Sequence, residues 1–233
     1  MWWIVSAAWA TAGLRVPPAG FVDLRDAVPG VRLEIGYHTD SNFTGGPLPG
    51  YGAPGAWLRA DAAVALAAVQ AALAEEGLGL VVYDAYRPKR ASAAMVAWAE
   101  RTGQQWVLSQ GYVAKHSGHN RGNTVDVSVF RLSDGQPVDM GGPWDAFAPV
   151  SHTRGVTGAA LDSRLALSRA MQAQGWRPYS KEWWHFRFPM DSAAPRDVPY
   201  SCFEPAEGQW TAPEGWTAPG YTAPPWPESV ACD

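Results

Sequence analysis

Apolar residues recur at helical spacing through residues 56–77 (AWLRADAAVALAAVQAALAEEG), a stretch rich in Ala and Leu that ends on a glycine, which predicts an amphipathic helix. A second helix is expected over 89–101, directly after Pro88, and a third over 161–174, just before Gly175. Short runs rich in β-branched and aromatic residues at 31–37, 78–83, 124–130 and 184–188 have turn formers around them and predict strands. Strands and helices do not alternate regularly. The pattern therefore favours an α+β domain with helices packed on a small, mostly antiparallel sheet.

Both ends of the chain break this pattern. Residues 1–20 begin with an apolar run, MWWIVSAAWA, whose Ala8-Trp9-Ala10 suits a signal-peptide cleavage site but which lacks a basic leader. A signal remnant and an ordinary terminus both stay open. From 204 to 233 the composition turns to Pro, Gly, Thr and Trp, with a repeat at Trp210–Pro213, Trp216–Pro219 and Tyr221–Pro224. Such a tail is expected to be extended and to lie outside the 21–203 domain.

With 233 residues and 47% hydrophobic side chains the chain can bury one good core. Its net charge of −4 comes with no cluster of Lys or Arg, which argues against nucleic acid as a partner. No apolar run approaches the roughly 20 residues of a transmembrane helix. Two cysteines occur, Cys202 and Cys232. Free thiols would suit the cytoplasm, whereas a disulfide would pin the tail and imply a periplasmic or exported protein.

Two stretches carry candidate chemistry. Residues 117–126 read SGHNRGNTVD, placing His119 in a Gly-rich loop and Asp126 among valines of a predicted strand. A carboxylate buried there needs a cation, either a metal or an arginine. Residues 181–187 read KEWWHFR, with Glu182 and His185 among bulky aromatics that exclude water and raise a carboxyl pKa. Taken alone, His185 could as well be a hydrogen-bonded core residue. Together, two imidazoles, a carboxylate and a spare carboxylate form the minimum set for a catalytic zinc site with an open fourth position.

In this order and spacing, His119-x6-Asp126 and Glu182-Trp-Trp-His185 resemble the zinc signature of the D-alanyl-D-alanine dipeptidases associated with vancomycin resistance. These belong to a wider D-Ala-D-Ala metallopeptidase group related to Hedgehog amino-terminal domains. The stretches SNFTG at 41–45 and YDAYRPKR at 83–90 point to the dipeptidase branch, and the resemblance spans 21–203. It implies a Hedgehog/D,D-peptidase-like fold and one Zn²⁺ per chain on His119, Asp126 and His185. Glu182 would be the general base toward a metal-activated water, and Arg87 would stabilise the oxyanion; a turn-forming salt bridge with Asp84 is the plainer role for Arg87.

The same resemblance implies a small D-amino-acid dipeptide as substrate, with Asp145 near its free amino group and Ser117 and Tyr51 near its carboxylate. It makes His152 a supporting residue and leaves His116 and His38 outside the ligand set. Residues 98–111 are short where relatives often carry more chain, so one rim of the entrance is expected to be open. That keeps a D,D-carboxypeptidase or endopeptidase acting on peptidoglycan stem peptides as the alternative. A catalytically silent zinc-binding domain would lack the base or the oxyanion residue, and both Glu182 and Arg87 are present.

Overall fold

The computed structural model describes residues 13–190, 193–209, 229–230 and 232. The apolar segment 1–10 and the aromatic repeat of the tail lie outside these residues. In chain order the elements are β1 (Leu14–Arg15), β2 (Phe21–Asp23), α1 (Leu24–Ala27), β3 (Arg32–Leu33), β4 (Trp57–Arg59), α2 (Ala60–Glu75), β5 (Leu78–Asp84), α3 (Lys89–Arg101) and α4 (Trp106–Ser109). They continue with β6 (Thr124–Arg131), α5 (Gly158–Ala173), β7 (Arg177–Tyr179), β8 (Glu182–Arg187) and β9 (Ser229–Val230).

Among the described residues, the largest sheet has five strands in the order β3-β5-β6-β8-β7. Only β3 and β5 run parallel; every other pair in it is antiparallel. Helices α2 and α5 pack on each other, α2 against β5 and α5 against β7 and β8. Leu66, Leu73, Leu80, Val82, Val127, Leu167, Met171 and Trp184 are part of the buried apolar core. The result is the mixed, mostly antiparallel arrangement that the hydrophobic pattern predicts.

Two expected elements change type along part of their length, and the third helix starts at Gly158, three residues earlier than expected. The helix expected from residue 56 starts at Ala60, because Trp57–Arg59 instead pairs antiparallel with β2, Phe21 opposite Arg59 and Asp23 opposite Trp57. Trp57, Ala62 and Leu66 are all buried, so an apolar stretch spanning a strand and a helix reads as one period. The strand expected over 31–37 pairs only at Arg32–Leu33 and then tightens into a 3₁₀ turn at Gly36–His38. The turn packs Tyr37 against Trp144, with ring centroids 4.9 Å apart.

The ends of the domain are stitched together. β1 pairs in parallel with β9, and a disulfide joins Cys202 to Cys232. Glu204 receives hydrogen bonds from the backbone N–H groups of Gly50 (2.5 Å) and Gly52 (2.9 Å). Of the two states open to the cysteines, the paired one is present. No helix among the described residues is long and apolar enough to cross a membrane.

Candidate metal centre

Sheet register assembles the centre. Asp84 on β5 sits opposite Asp126 on β6, and Asp126 sits opposite His185 on β8, so three adjacent strands place these residues in one row. Directly opposed residues of antiparallel strands have Cβ atoms only about 4.5–5.5 Å apart. A bulge between Val82 and Asp84 shifts the phase of β5, a common way of re-aiming a side chain at a site.

Glu182 and His185 are three residues apart on β8, and strict strand alternation would put them on opposite faces. The ladder with β7 breaks between the pairs Pro178–Phe186 and Tyr179–Glu182, and Glu182 Oε2 comes within 3.4 Å of His185 Nδ1.

His119 arrives from a separate loop, the 3₁₀ turn Gly118–Arg121 that leads into β6. Ser117 starts the turn, its Oγ accepting from His119 N at 3.2 Å, and Gly122 ends it at φ 71°. Asn120 ties the loop to the β5–α3 connection and to α3 by donating to Arg87 O (2.8 Å) and Ser92 Oγ (3.0 Å). His119 Nδ1 donates to Ala85 O at 2.7 Å, which leaves the Nε2 lone pair directed at Asp126 and His185.

Three potential ligand atoms meet there. His119 Nε2 lies 3.3 Å from His185 Nδ1 and 3.3 Å from Asp126 Oδ1, and His185 Nδ1 lies 3.1 Å from Asp126 Oδ1. Bonds of about 2.0–2.1 Å to a tetrahedral ion separate ligand atoms by about 3.3 Å, so these atoms form one face of such a tetrahedron and leave the fourth corner to the cavity. Burial works against ionisation of Asp126, and the two imidazoles more than offset it, holding the carboxyl well below its ordinary value. Trp144 Nε1 reaches Asp126 Oδ2 at 3.4 Å.

Glu182 and Arg87 flank this triad. Burial first, then the charge of Asp126, pushes the Glu182 carboxyl well above its ordinary value, and Arg87 opposes the shift. A cation on the triad would offset the charge of Asp126. Arg87 is tied to Asp84 through Nε (2.9 Å) and Nη2 (2.8 Å), and its Nη2 lies 3.7 Å from Asp126 Oδ2. The salt bridge and a place on the cavity wall therefore coexist.

The cavity has a volume of about 240 Å³, and Arg87, Ser117, His119, Asp126, Asp145, Glu182 and His185 line it. That is below the roughly 300–1,000 Å³ of sites for drug-sized ligands. Asp145 accepts from Tyr37 Oη at 2.8 Å and, among the described residues, is the one non-glycine at positive φ, 59°. Such an outlier beside a cavity is a mark of functional geometry.

Tyr51 is a correction. It is fully buried away from the cavity, its hydroxyl given to Asp84 Oδ1 at 2.5 Å, so it supports the Asp84–Arg87 pair and is not placed to meet substrate. His38 is a buried residue with Nδ1 2.6 Å from Tyr51 O, and His152 Nε2 pairs with Tyr112 Oη at 3.0 Å. His116 sits exposed at the cavity edge. The Asp84–Arg87 salt bridge is the one the sequence offered, whereas the roles of Tyr37, Trp144 and Asn120 escaped the motif reading, although Asn120 lies within a motif and Trp144 directly precedes Asp145.

Residues 18–205 match the peptidase M15 family, described as D-Ala-D-Ala dipeptidase. The chain belongs to this family. A D-alanyl-D-alanine dipeptidase of Enterococcus faecium is 34% identical over 196 residues, covering 78% of this chain and 94% of the relative. One from Streptomyces coelicolor is 35% identical over 181 residues (71% and 89%), and one from Escherichia coli K12 is 35% identical over 185 (78% and 92%). This M15 peptidase is thus a metallopeptidase enzyme, and its His119–Asp126–His185 cluster offers a site for the metal.

Proposed function

We propose that this M15 peptidase hydrolyses D-alanyl-D-alanine to two D-alanines with one zinc ion on His119, Asp126 and His185. The observation that carries the proposal is the convergence of three ligand atoms at 3.1–3.3 Å with Glu182 Oε2 3.4 Å from one of them, in a cavity sized for a very small substrate. The relatives carry the same activity in their names. The motif resemblance further assigns the fold to the Hedgehog/D,D-peptidase kind, with the tail beyond 204 as an appendage. The disulfide Cys202–Cys232 favours an oxidising, periplasmic or exported setting.

The chemistry supplied by zinc in a site of this donor set is acidification of a water molecule and polarisation of the scissile carbonyl. Asp145, held by Tyr37, receives the free amino group of the dipeptide. The Ser117 hydroxyl, whose oxygen already accepts from His119 N, has its proton to give to the substrate carboxylate. Glu182 removes the proton of the attacking water and passes it to the leaving amine. Arg87, kept charged and aimed by Asp84, meets the negative charge that develops on the carbonyl oxygen.

Glu182→Gln tests the assignment. Release of D-alanine from D-Ala-D-Ala should fall at least ~100-fold, while elemental analysis still finds one metal per chain. Retained turnover would sink the role given to Glu182. A pentapeptide ending in D-Ala-D-Ala, assayed in parallel with and without a chelator, addresses the alternative; cleavage of the longer peptide alone would replace dipeptidase by carboxypeptidase.

A further inference from the structure

One wall of the cavity, formed in part by Gly111, Tyr112 and Tyr179, is backed by three segments that are distant in sequence and hydrogen-bonded to one another in a closed circuit. Tyr179 Oη, at the end of β7, donates to Gly111 O (3.2 Å), and Lys181 Nζ, in the turn to β8, donates to Gln110 O (2.6 Å). Next to these carbonyls, Tyr112 Oη pairs with His152 Nε2 at 3.0 Å. The circuit closes where Thr153 N donates to Ser180 O at 3.0 Å. Lys181 Nζ also lies 5.9 Å from the centre of the Tyr112 ring, within cation–π reach.

The sequence is fitted to this closure. Gly111 has φ 80°, and a Cβ there would stand 3.0 Å from Tyr179 Oη, so only glycine lets the hydroxyl approach its carbonyl without crowding. Gly111, Tyr112 and Tyr179 all line the cavity, so the circuit is part of the wall a bound peptide meets. The end of the short segment 98–111 is thus drawn against residues 179–181.

We propose that this circuit sets the length of peptide the enzyme accepts, with Lys181, Tyr179 and His152 as specificity-determining side chains. This rests on the dipeptidase reading above. The metal ligands, Glu182 and Arg87 act on the scissile bond and have no means of counting residues beyond it. Asp145 and Ser117 hold the two ends of a dipeptide, and the room left for a further residue is set by this wall, which is held by hydrogen bonds that the catalytic groups do not share. Each such bond contributes modestly, and loss of one shifts a closed-to-open balance by about fivefold.

The variants Lys181→Met and Lys181→Met/His152→Phe keep the aliphatic stem and an aromatic ring while removing one and two links. Initial rates on D-Ala-D-Ala and on tri-D-alanine, followed by chromatography, should show dipeptide turnover near wild type. The tripeptide-to-dipeptide ratio of kcat/KM should rise about fivefold in the single and about thirtyfold in the double variant. Amide exchange over residues 106–114 should quicken in parallel. An unchanged ratio overturns the proposal, as does unchanged exchange, or tripeptide cleavage by the wild type as fast as that of the dipeptide. A wild type that leaves D-Ala-D-Ala intact instead overturns the dipeptidase reading, and this one falls with it.

Discussion

Replacing Asp84 with Asn isolates the residue on which the electrostatics of the centre turn. Asp84 is fully buried and takes contacts from Arg87 Nε (2.9 Å) and Nη2 (2.8 Å), Tyr51 Oη (2.5 Å) and His119 Nδ1 (3.2 Å). Breaking a buried ion pair from one side costs about 3–5 kcal/mol, because the remaining charge is left unpaired. Asn keeps one acceptor oxygen, and Asp126 lies 3.7 Å from the guanidinium, so the lower end, about 3 kcal/mol, applies. In a chain of this size that lowers the melting midpoint by about 6–12 °C.

The same change frees Arg87 from its aim. Loss of an oxyanion donor costs about 10²–10³ in kcat, and since Asp84 does not line the cavity, KM should move little. The assay is D-alanine release under saturating dipeptide alongside thermal unfolding of the metal-loaded enzyme. Tyr51→Phe, which removes a single hydrogen bond to the same carboxylate and leaves the ion pair in place, serves as the control and should cost about 1.5 kcal/mol, the low end for a bond to a charged group. An Asp84→Asn enzyme with kcat and melting midpoint both near wild type would refute the argument, as would a loss confined to KM.

Gly36→Ala would drive a Cβ into the edge of the ring of Trp144, whose indole N–H reaches Asp126. The crowding should cost about 1–3 kcal/mol, and loss of that outer support should weaken metal binding about tenfold or more; a chelator-competition titration unchanged from wild type would contradict this. Opening the Cys202–Cys232 link, by reductant or Cys202→Ser, releases a loop of sequence separation 30 and should cost about 3.5 kcal/mol. A melting midpoint indifferent to reductant would show that the tail adds nothing to the stability of the domain.

Much of the architecture was legible from periodicity. The helix after Pro88 begins and ends where the pattern places it, and β5 and β6 match their apolar runs closely, because both strands are buried on both faces along nearly their whole length. Residues 56–59 misled because Ala56, Trp57 and Leu58 run on into the apolar residues of the helix, and burial in a strand and burial in a helix look alike in such a run. Tyr51 misled for a related reason: a tyrosine near a cavity motif can face substrate or stand behind the wall, and only the position of Asp84 decides between them.

The sequence by itself determined the chemical inventory: two imidazoles, a buried carboxylate, a carboxylate among tryptophans and an arginine, each inside a short motif. Their local spacing carries that much because residue type and neighbours set burial and charge. Whether these groups meet was decided only by tertiary structure. Strand register sets Asp84, Asp126 and His185 in a row, a bulge re-aims Asp84, and a broken ladder turns Glu182 toward His185 against simple alternation. The closed circuit joins residues 110–112, 152–153 and 179–181, a juxtaposition that no local pattern encodes, since hydrogen bonds to backbone carbonyls leave no signature in the sequence of the acceptor.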